Sequence, residues 1–96
     1  MVQRYYLNIE GKVQGVGFRF FTQQQAAEYD LVGWVRNNSN GSVEAEVEGD
    51  NQQIDLFLEA IKTKNRFAKV NQIHQKQIDE LNSERSFKVI HWNESG

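Results

Sequence analysis

A glycine-rich segment followed directly by an arginine is the first place where residue types and spacing point to chemistry. The run Gly11-Lys12-Val13-Gln14-Gly15-Val16-Gly17-Phe18-Arg19 precedes a helical pattern. The first N–H groups of a helix have no intrahelical partner and lie at the positive end of its dipole, so this segment favours anions. It is neither a Rossmann turn nor a P-loop, because Phe20 and Val13 stand where those motifs need Gly and Ser or Thr. A purely structural turn would also explain three glycines.

Arg19 adds a second indication at the same place. A cation in the first turn of a helix faces the positive end of the dipole and is unfavourable by a few tenths to about 1 kcal/mol. A bound anion would offset this cost, held by the forked guanidinium and by the loop amides together. The alternative is that the side chain extends into solvent or pairs with a surface carboxylate. The residue pattern leaves both explanations open.

Asn37 is the candidate for orienting a water molecule. It ends the second predicted strand on the same face as Val35, and the turn that follows accounts for Asn38 and Asn40. A β-α-β unit with strand two beside strand one would bring Asn37 close to the glycine loop. Because an amide both donates and accepts hydrogen bonds, Asn37 can hold a water without a titrating base.

The composition removes most other catalytic groups. The 96 residues contain no Cys, which excludes thiolate nucleophiles and Cys-based metal sites. The two histidines, His74 and His91, are too far apart for a helical metal pair and are assigned to surface or packing roles. No apolar run approaches the roughly 18–20 residues of a membrane span, and no signal peptide is evident. A net charge of −2 with 39% hydrophobic residues predicts one globular domain over residues 1–96, and the lack of Cys, of a membrane span and of a signal peptide predicts a cytoplasmic location.

Alternating and helical hydrophobic periods predict the elements that position these residues. Asp50 and Gln53 resemble a capping box before the second helix, Asn40-Gly41 is a hairpin signal, and a bulge is needed to place Val70 and Ile73 on one face of strand four. The predicted elements are strand one at Tyr5–Val13, a helix at Phe18–Tyr29, strand two at Leu31–Asn37, strand three at Ser42–Glu48, a helix with the stripe Ile54, Phe57, Leu58 and Ile61, strand four at Val70–Ile78, and a last strand at Phe87–Trp92.

This order, β-α-β-β-α-β plus a C-terminal strand, predicts an α+β fold. We expect a ferredoxin-like sandwich, with an antiparallel sheet of four to five strands and both helices on one face. Strand three turns Val43, Ala45 and Val47 inward. Its other face carries Glu44, Glu46 and Glu48, interpreted as a solvated surface rather than a cation site.

The motifs together resemble a known family. The glycine run ending in Arg19, then Gly33-Trp34-Val35-Arg36-Asn37, then Asn40-Gly41-Ser42-Val43-Glu44, closely resemble the two signatures of the acylphosphatases, and the resemblance extends over essentially the whole chain. It implies hydrolysis of the carboxyl–phosphate bond of acyl phosphates to a carboxylate and inorganic phosphate. The family's catalytic arginine falls on Arg19, its catalytic asparagine on Asn37, and its phosphate-binding loop on Gly15, Val16, Gly17 and Phe18.

The expected enzyme uses no metal and no cofactor, acts on a small acyl phosphate as a monomer, and binds neither nucleic acid nor membrane. Asp30 departs from the family pattern, since Gly is common there at the helix C-terminus. Two alternatives remain. One is a non-catalytic domain that senses acyl or carbamoyl phosphate. The other is an RRM-like nucleic-acid module, disfavoured because Glu44, Glu46 and Glu48 would repel a phosphate backbone.

Overall fold

The computed structural model describes residues 1–91, so Trp92, predicted to end the last strand, lies outside the described residues. The order of elements follows the sequence prediction, with boundaries that differ by no more than three residues. The elements are β1 (Val2–Lys12), α1 (Phe18–Glu28), β2 (Val32–Asn37), β3 (Val43–Asp50), α2 (Asn51–Thr63), β4 (Lys69–Ile78) and β5 (Phe87–Ile90). Neither helix is long and apolar enough to cross a membrane, as far as residues 1–91 show.

The five strands form one sheet in the order β4-β1-β3-β2-β5. The expected placement of strand two beside strand one is wrong, because β3 lies between β1 and β2 and pairs antiparallel with both. The sheet is also not wholly antiparallel. β5 joins the free edge of β2 in parallel, with Arg36 opposite Ile90, and this mixed sheet is otherwise the expected ferredoxin-like arrangement.

Both helices pack on one face of the sheet, α1 over β2 and β5 and α2 over β3 and β4. The inward residues of the strands and the apolar stripes of the helices share a single core, because both periods turn their apolar side chains to the same layer. Phe57 and Phe87 meet there with ring centroids 6.4 Å apart. The fully buried side chains of this core include Leu7, Ile9, Val35, Ala45, Val47, Ile54 and Ile61.

The predicted bulge in strand four is confirmed. Glu10 pairs with Gln72 but Gly11 pairs with Val70, which leaves Asn71 as the extra residue in β4. The register shift lets both Val70 and Ile73 pack against the core. Val70 and Ile73 are three positions apart and would face opposite sides of a regular strand, and the bulge turns both toward the core.

The end of α1 is closed by a Schellman motif around Asp30. The N–H of Leu31 donates to the carbonyl of Ala26 at 2.8 Å, and the N–H of Asp30 donates to that of Ala27 at 3.3 Å. Asp30 has φ 58°, the left-handed conformation that glycine adopts most easily. Asp30 therefore carries a backbone strain that the usual glycine would avoid.

The start of α2 follows the sequence signal only in part. Asp50 is the N-cap, and its carboxylate accepts a hydrogen bond from the N–H of Gln52 at 3.1 Å. Gln53 does not complete the capping box, because its side chain instead donates to the carbonyl of Tyr29 at 3.2 Å. Gln53 thus links the start of α2 to the end of α1.

Candidate active site

A cavity of about 310 Å³ opens between the glycine loop, the first turn of α1 and the ends of β2 and β5. It brings together Arg19 and Asn37, which are eighteen positions apart in the sequence. Gly15, Gly17 and Phe18 also line it, so five of the six predicted site residues meet here. The sixth, Val16, does not line the cavity, because its side chain packs against the hydrophobic core.

The loop before α1 holds a conformation in which the N–H groups of Gly15, Val16 and Gly17 donate to no backbone carbonyl of residues 1–91. Gly15 and Gly17 both have φ 76°, which few residues other than glycine adopt readily. Gly17 is the N-cap of α1 and provides no side-chain cap. The first intrahelical bond runs from the N–H of Phe21 to the carbonyl of Gly17, so the N–H groups of the preceding three helical residues have no partner within the helix. The backbone N–H groups of such a loop and helix start favour an anion.

Arg19 is tied to the main chain of β5. Its Nη1 donates to the carbonyl oxygen of Ile90 at 2.9 Å. Within residues 1–91 Arg19 forms no ion pair with a carboxylate, so the surface pairing considered as an alternative is not observed. The bond occupies one nitrogen of the guanidinium and fixes its position, while the fork retains further donors for a ligand.

Asn37 presents an unused acceptor at the same cavity. Its Oδ1 is buried and accepts no hydrogen bond from the described residues. Buried polar atoms are nearly always paired, so an unpaired one beside a cavity indicates a position where a polar ligand or water belongs. Asn37 reaches this cavity although β2 does not neighbour β1, because its side chain lies on the helix-facing side of the sheet at the end of β2.

Gln14 joins the glycine loop to the turn after Asn37. Its Nε2 donates to the carbonyls of Asn38 at 2.7 Å and Ser42 at 2.8 Å. Within that turn the expected hairpin forms, but of the Asn40-Gly41 pair only Gly41 has a positive φ. Two hydrogen bonds from one side chain thus fix the distance between the loop and the end of β2. Nothing in the local sequence pattern singles Gln14 out for this role.

Sequence reasoning also missed other residues at the cavity, among them three besides the core valines Val13 and Val89. Phe20, Gln23 and His91 all line it. His91 is predicted to have a surface or packing role, and it is indeed exposed, but it follows Ile90 directly and lines this cavity together with Arg19 and Asn37. The parallel pairing of β5 with β2 accounts for the position of His91, since it brings the ends of the two strands together, and no local sequence pattern indicates that pairing.

The opposite face of the sheet carries a network of charges rather than solvated carboxylates. Glu44 and Glu48 are only 7% and 5% exposed, so the interpretation of this acidic face as solvated is wrong for both. Arg36 pairs with Glu44 at 3.1 Å. Arg4 is fully buried and its Nη1 donates to Glu48 at 3.1 Å and to Glu84 at 2.6 Å. Two arginines that the sequence pattern left unplaced therefore pair with the carboxylates of this face.

Glu48 also forms hydrogen bonds with the segment between β4 and β5. Burial disfavours its charged form, but the N–H of Leu81, the Arg4 guanidinium and the N–H of Asn82 together outweigh burial, and the pKa of Glu48 is lowered. The two N–H groups donate to its carboxylate at 2.8 Å and 3.2 Å. This contact anchors the connection that leads into β5, and β5 carries the carbonyl that holds Arg19.

No group of three or more His, Cys, Asp or Glu side chains within residues 1–91 is arranged to hold a metal ion. The cavity wall is mixed in character. Val13, Phe18 and Val89 are apolar, and Arg19, Gln23 and Asn37 are polar. A cavity of this size is at the lower end of the range that holds small molecules, and its wall suits a ligand with one anionic end and one uncharged end.

Comparison with known proteins identifies the family. The acylphosphatase family model matches residues 5–89. An acylphosphatase of Geobacillus thermodenitrificans is 41% identical over 90 residues, which cover 94% of this chain and 96% of that protein. The crystal structure of the Bacillus subtilis acylphosphatase superposes with a TM-score of 0.86 at 37% identity, covering 94% of this chain and 99% of that one.

A similar domain also occurs in a larger protein. Full-length HypF in its phosphate- and nucleotide-bound form superposes with a TM-score of 0.84 at 36% identity, covering 94% of this chain but 12% of that one. The relatives named acylphosphatase, in contrast, match this chain over nearly their whole length. The chain belongs to the acylphosphatase family and is an enzyme that hydrolyses acyl phosphates.

Proposed function

We propose that the phosphoryl group of the substrate binds to the backbone amides of Gly15, Val16, Gly17 and Phe18, with Arg19 bridging its oxygens. Asn37 holds the attacking water in line with the carboxyl–phosphate bond. Arg19 and Asn37 are then the catalytic residues, and the loop is the phosphate-binding element. The observation that carries this assignment is the meeting of three features in one cavity: the uncapped helix start, the anchored guanidinium and the buried, unpaired Oδ1 of Asn37.

The chemistry suits these groups. Phosphoryl transfer needs positioning and stabilisation of the charge on the oxygens more than covalent catalysis. As the water oxygen bonds to phosphorus, the bond to the carboxyl oxygen breaks, and the leaving carboxylate takes the electron pair. The protons of the water remain on the phosphate product or pass to solvent. A carboxylate is a weak base and needs no general acid to depart, which fits a site built from amides and one guanidinium.

Arg19 gains a specific role in this scheme. Its Nη1 is committed to Ile90, and the remaining donors bridge phosphoryl oxygens as charge accumulates on them. The anion in turn offsets the cost of placing a cation at the positive end of α1. The observed bond to a carbonyl rather than to a carboxylate supports the proposal, because a carboxylate partner would cancel the charge that the phosphoryl group requires.

The proposal extends to the setting of the enzyme. We place it in the cytoplasm, as a monomeric single domain that uses no metal and has no nucleic-acid partner. The pairing of Arg4 and Arg36 with glutamates supports the lack of a nucleic-acid partner. These cations, on the sheet face opposite the helices, are already neutralised by carboxylates and are not available to phosphates. The non-catalytic sensing role is the weaker alternative, because the chain matches acylphosphatases over nearly their full length.

Release of inorganic phosphate from acetyl, carbamoyl and benzoyl phosphate, compared with p-nitrophenyl phosphate and measured with and without a chelator, tests this scheme. We expect turnover of the three acyl phosphates, little or none of the stable monoester, and no effect of the chelator. Loss of activity with the chelator would contradict a site made only of amides and a guanidinium. Equal turnover of the monoester would require a general acid that the scheme does not contain.

A further inference from the structure

Phe20 is an exposed aromatic side chain at the edge of the cavity. It is 60% exposed, whereas its neighbour Phe18 is buried. Residues 1–91 contain six exposed large apolar side chains, and Phe20 is the one that lines this cavity. Single exposed apolar residues are common on protein surfaces, so its position beside the site, rather than its exposure, calls for an explanation.

The helix geometry shows that Phe20 has no packing role in the core. Consecutive helical residues are turned by about 100°, so Phe20 lies about 200° around α1 from Phe18. The core side of the helix is occupied by Phe18, Thr22 and Ala26, and Phe21 packs against the same core. Phe20 therefore points away from the core, and the sequence places it directly after Arg19.

The two ends of an acyl phosphate have opposite character. The phosphoryl end is a compact anion, and the loop amides and Arg19 are matched to it. The acyl end varies among substrates, and in acetyl, carbamoyl and benzoyl phosphate it carries no charge. Phe20, Val89 and Val13 supply an apolar wall to the same cavity that holds the polar groups. An aromatic ring presents a large, rigid apolar surface and stacks on flat groups.

We propose that Phe20 is the residue that selects the acyl group, providing a surface on which substrates with a flat, apolar acyl group are held. This inference rests on the proposed binding of the phosphoryl group to the loop and Arg19. The contact is made to the acyl group rather than to the reacting phosphoryl group, and it is the same before and during the reaction. It therefore lowers KM for such substrates and leaves kcat nearly unchanged.

Steady-state hydrolysis of benzoyl and acetyl phosphate by the wild type, Phe20→Ala and Phe20→Tyr tests the proposal. We expect Phe20→Ala to reduce kcat/KM for benzoyl phosphate about tenfold, through KM, and that for acetyl phosphate less than about twofold. Phe20→Tyr keeps the ring and should retain the preference. Phe67→Ala is the matched control, since Phe67 is 66% exposed and does not line the cavity.

The inhibition constant of inorganic phosphate, measured with the same variants, shows whether the phosphoryl end is intact. We expect it to be unchanged in Phe20→Ala. An unchanged ratio of kcat/KM between the two substrates, or an equal loss on both, would overturn the role of Phe20 while leaving the phosphate site in place. If the wild type releases phosphate from neither substrate, the proposed function fails and this inference fails with it.

Discussion

Arg19 and Ile90 are joined across the molecule by a hydrogen bond of 2.9 Å from the guanidinium to a main-chain carbonyl. Ile90 pairs with Arg36, the residue before Asn37. The bond therefore connects the start of α1 to the strand edge that carries Asn37. The fifth strand, which contributes no residue to the family signatures, acts as the support that holds the two proposed catalytic side chains in one place.

Arg19→Lys keeps the charge but removes the fork. An ammonium on a flexible chain cannot donate to the Ile90 carbonyl and bridge two phosphoryl oxygens in the same fixed geometry. We expect kcat/KM for benzoyl phosphate to fall by about 100-fold or more and inhibition by inorganic phosphate to weaken strongly. Arg66→Lys, at an exposed arginine after α2, is the control. Activity of Arg19→Lys near that of the wild type would show that only the charge of Arg19 matters.

Gly17→Ala tests whether the loop needs the positive φ of Gly17, without a steric clash from the added Cβ. An added Cβ at Gly17 would contact nothing, so the effect arises from the positive φ alone. We expect a loss of about 1–2 kcal/mol in the free energy of unfolding and weaker binding of phosphate. Gly41→Ala meets the same conditions, with φ 94° and open space, but lies in the β2–β3 turn. Equal phosphate affinity in the two variants would argue against the loop as the phosphate-binding element.

Glu48→Gln tests the charge network on the sheet face opposite the helices through its pH dependence. The pKa of Glu48 is lowered by folding, so its contribution to stability is present above its unfolded value of about 4.5 and is lost as pH falls through the folded value. At neutral pH we expect Glu48→Gln to reduce the free energy of unfolding by about 1–3 kcal/mol. The difference from the wild type should shrink in acid.

Urea unfolding of both proteins at neutral pH and near pH 3 provides this comparison, with Glu80→Gln as the control at a neighbouring exposed carboxylate. A difference that stayed constant with pH would mean that the charge of Glu48 does not contribute, and that its amide replacement acts through packing alone.

Asp30→Gly should stabilise the protein. Glycine adopts φ 58° without the cost borne by Asp, and this gain exceeds the extra freedom of glycine in the unfolded chain. We expect about 0.5–1 kcal/mol of additional stability in thermal or urea unfolding, with activity unchanged. Asp30→Ala, which keeps a Cβ and loses the carboxylate, should be no more stable than the wild type. Asp30→Gly less stable than the wild type would reveal an interaction of the Asp30 side chain.

Local periodicity in the sequence is sufficient to predict the elements, and the motifs single out Arg19 and Asn37, which the structure places at one cavity. The order of the strands in the sheet is harder to predict from the sequence. The β-α-β pattern suggested β2 beside β1, whereas β3 takes that position, and no local signal specifies such long-range pairing. The proximity of Asn37 to the loop was expected from this incorrect arrangement, and it arises instead from the helix-facing side of β2 and the bridging of Gln14.

The glutamates of β3 show a second limit. Alternation correctly placed Glu44, Glu46 and Glu48 on one face, but burial depends on what covers that face. Arg4 comes from the neighbouring strand, and Glu84 and the N–H groups of Leu81 and Asn82 come from a segment more than thirty positions away from Glu48. A polar pattern on one strand cannot report partners so distant in sequence.

Asn37→Ala separates binding from turnover and is the most direct test of the central claim. Inorganic phosphate affinity, by isothermal titration, and kcat for benzoyl phosphate are measured on the same preparation. If Asn37 holds the water while the loop and Arg19 hold the phosphoryl group, the Kd for phosphate stays within about threefold while kcat falls about 100-fold or more. A kcat within about tenfold of the wild type, or a parallel loss of phosphate binding, would contradict the account.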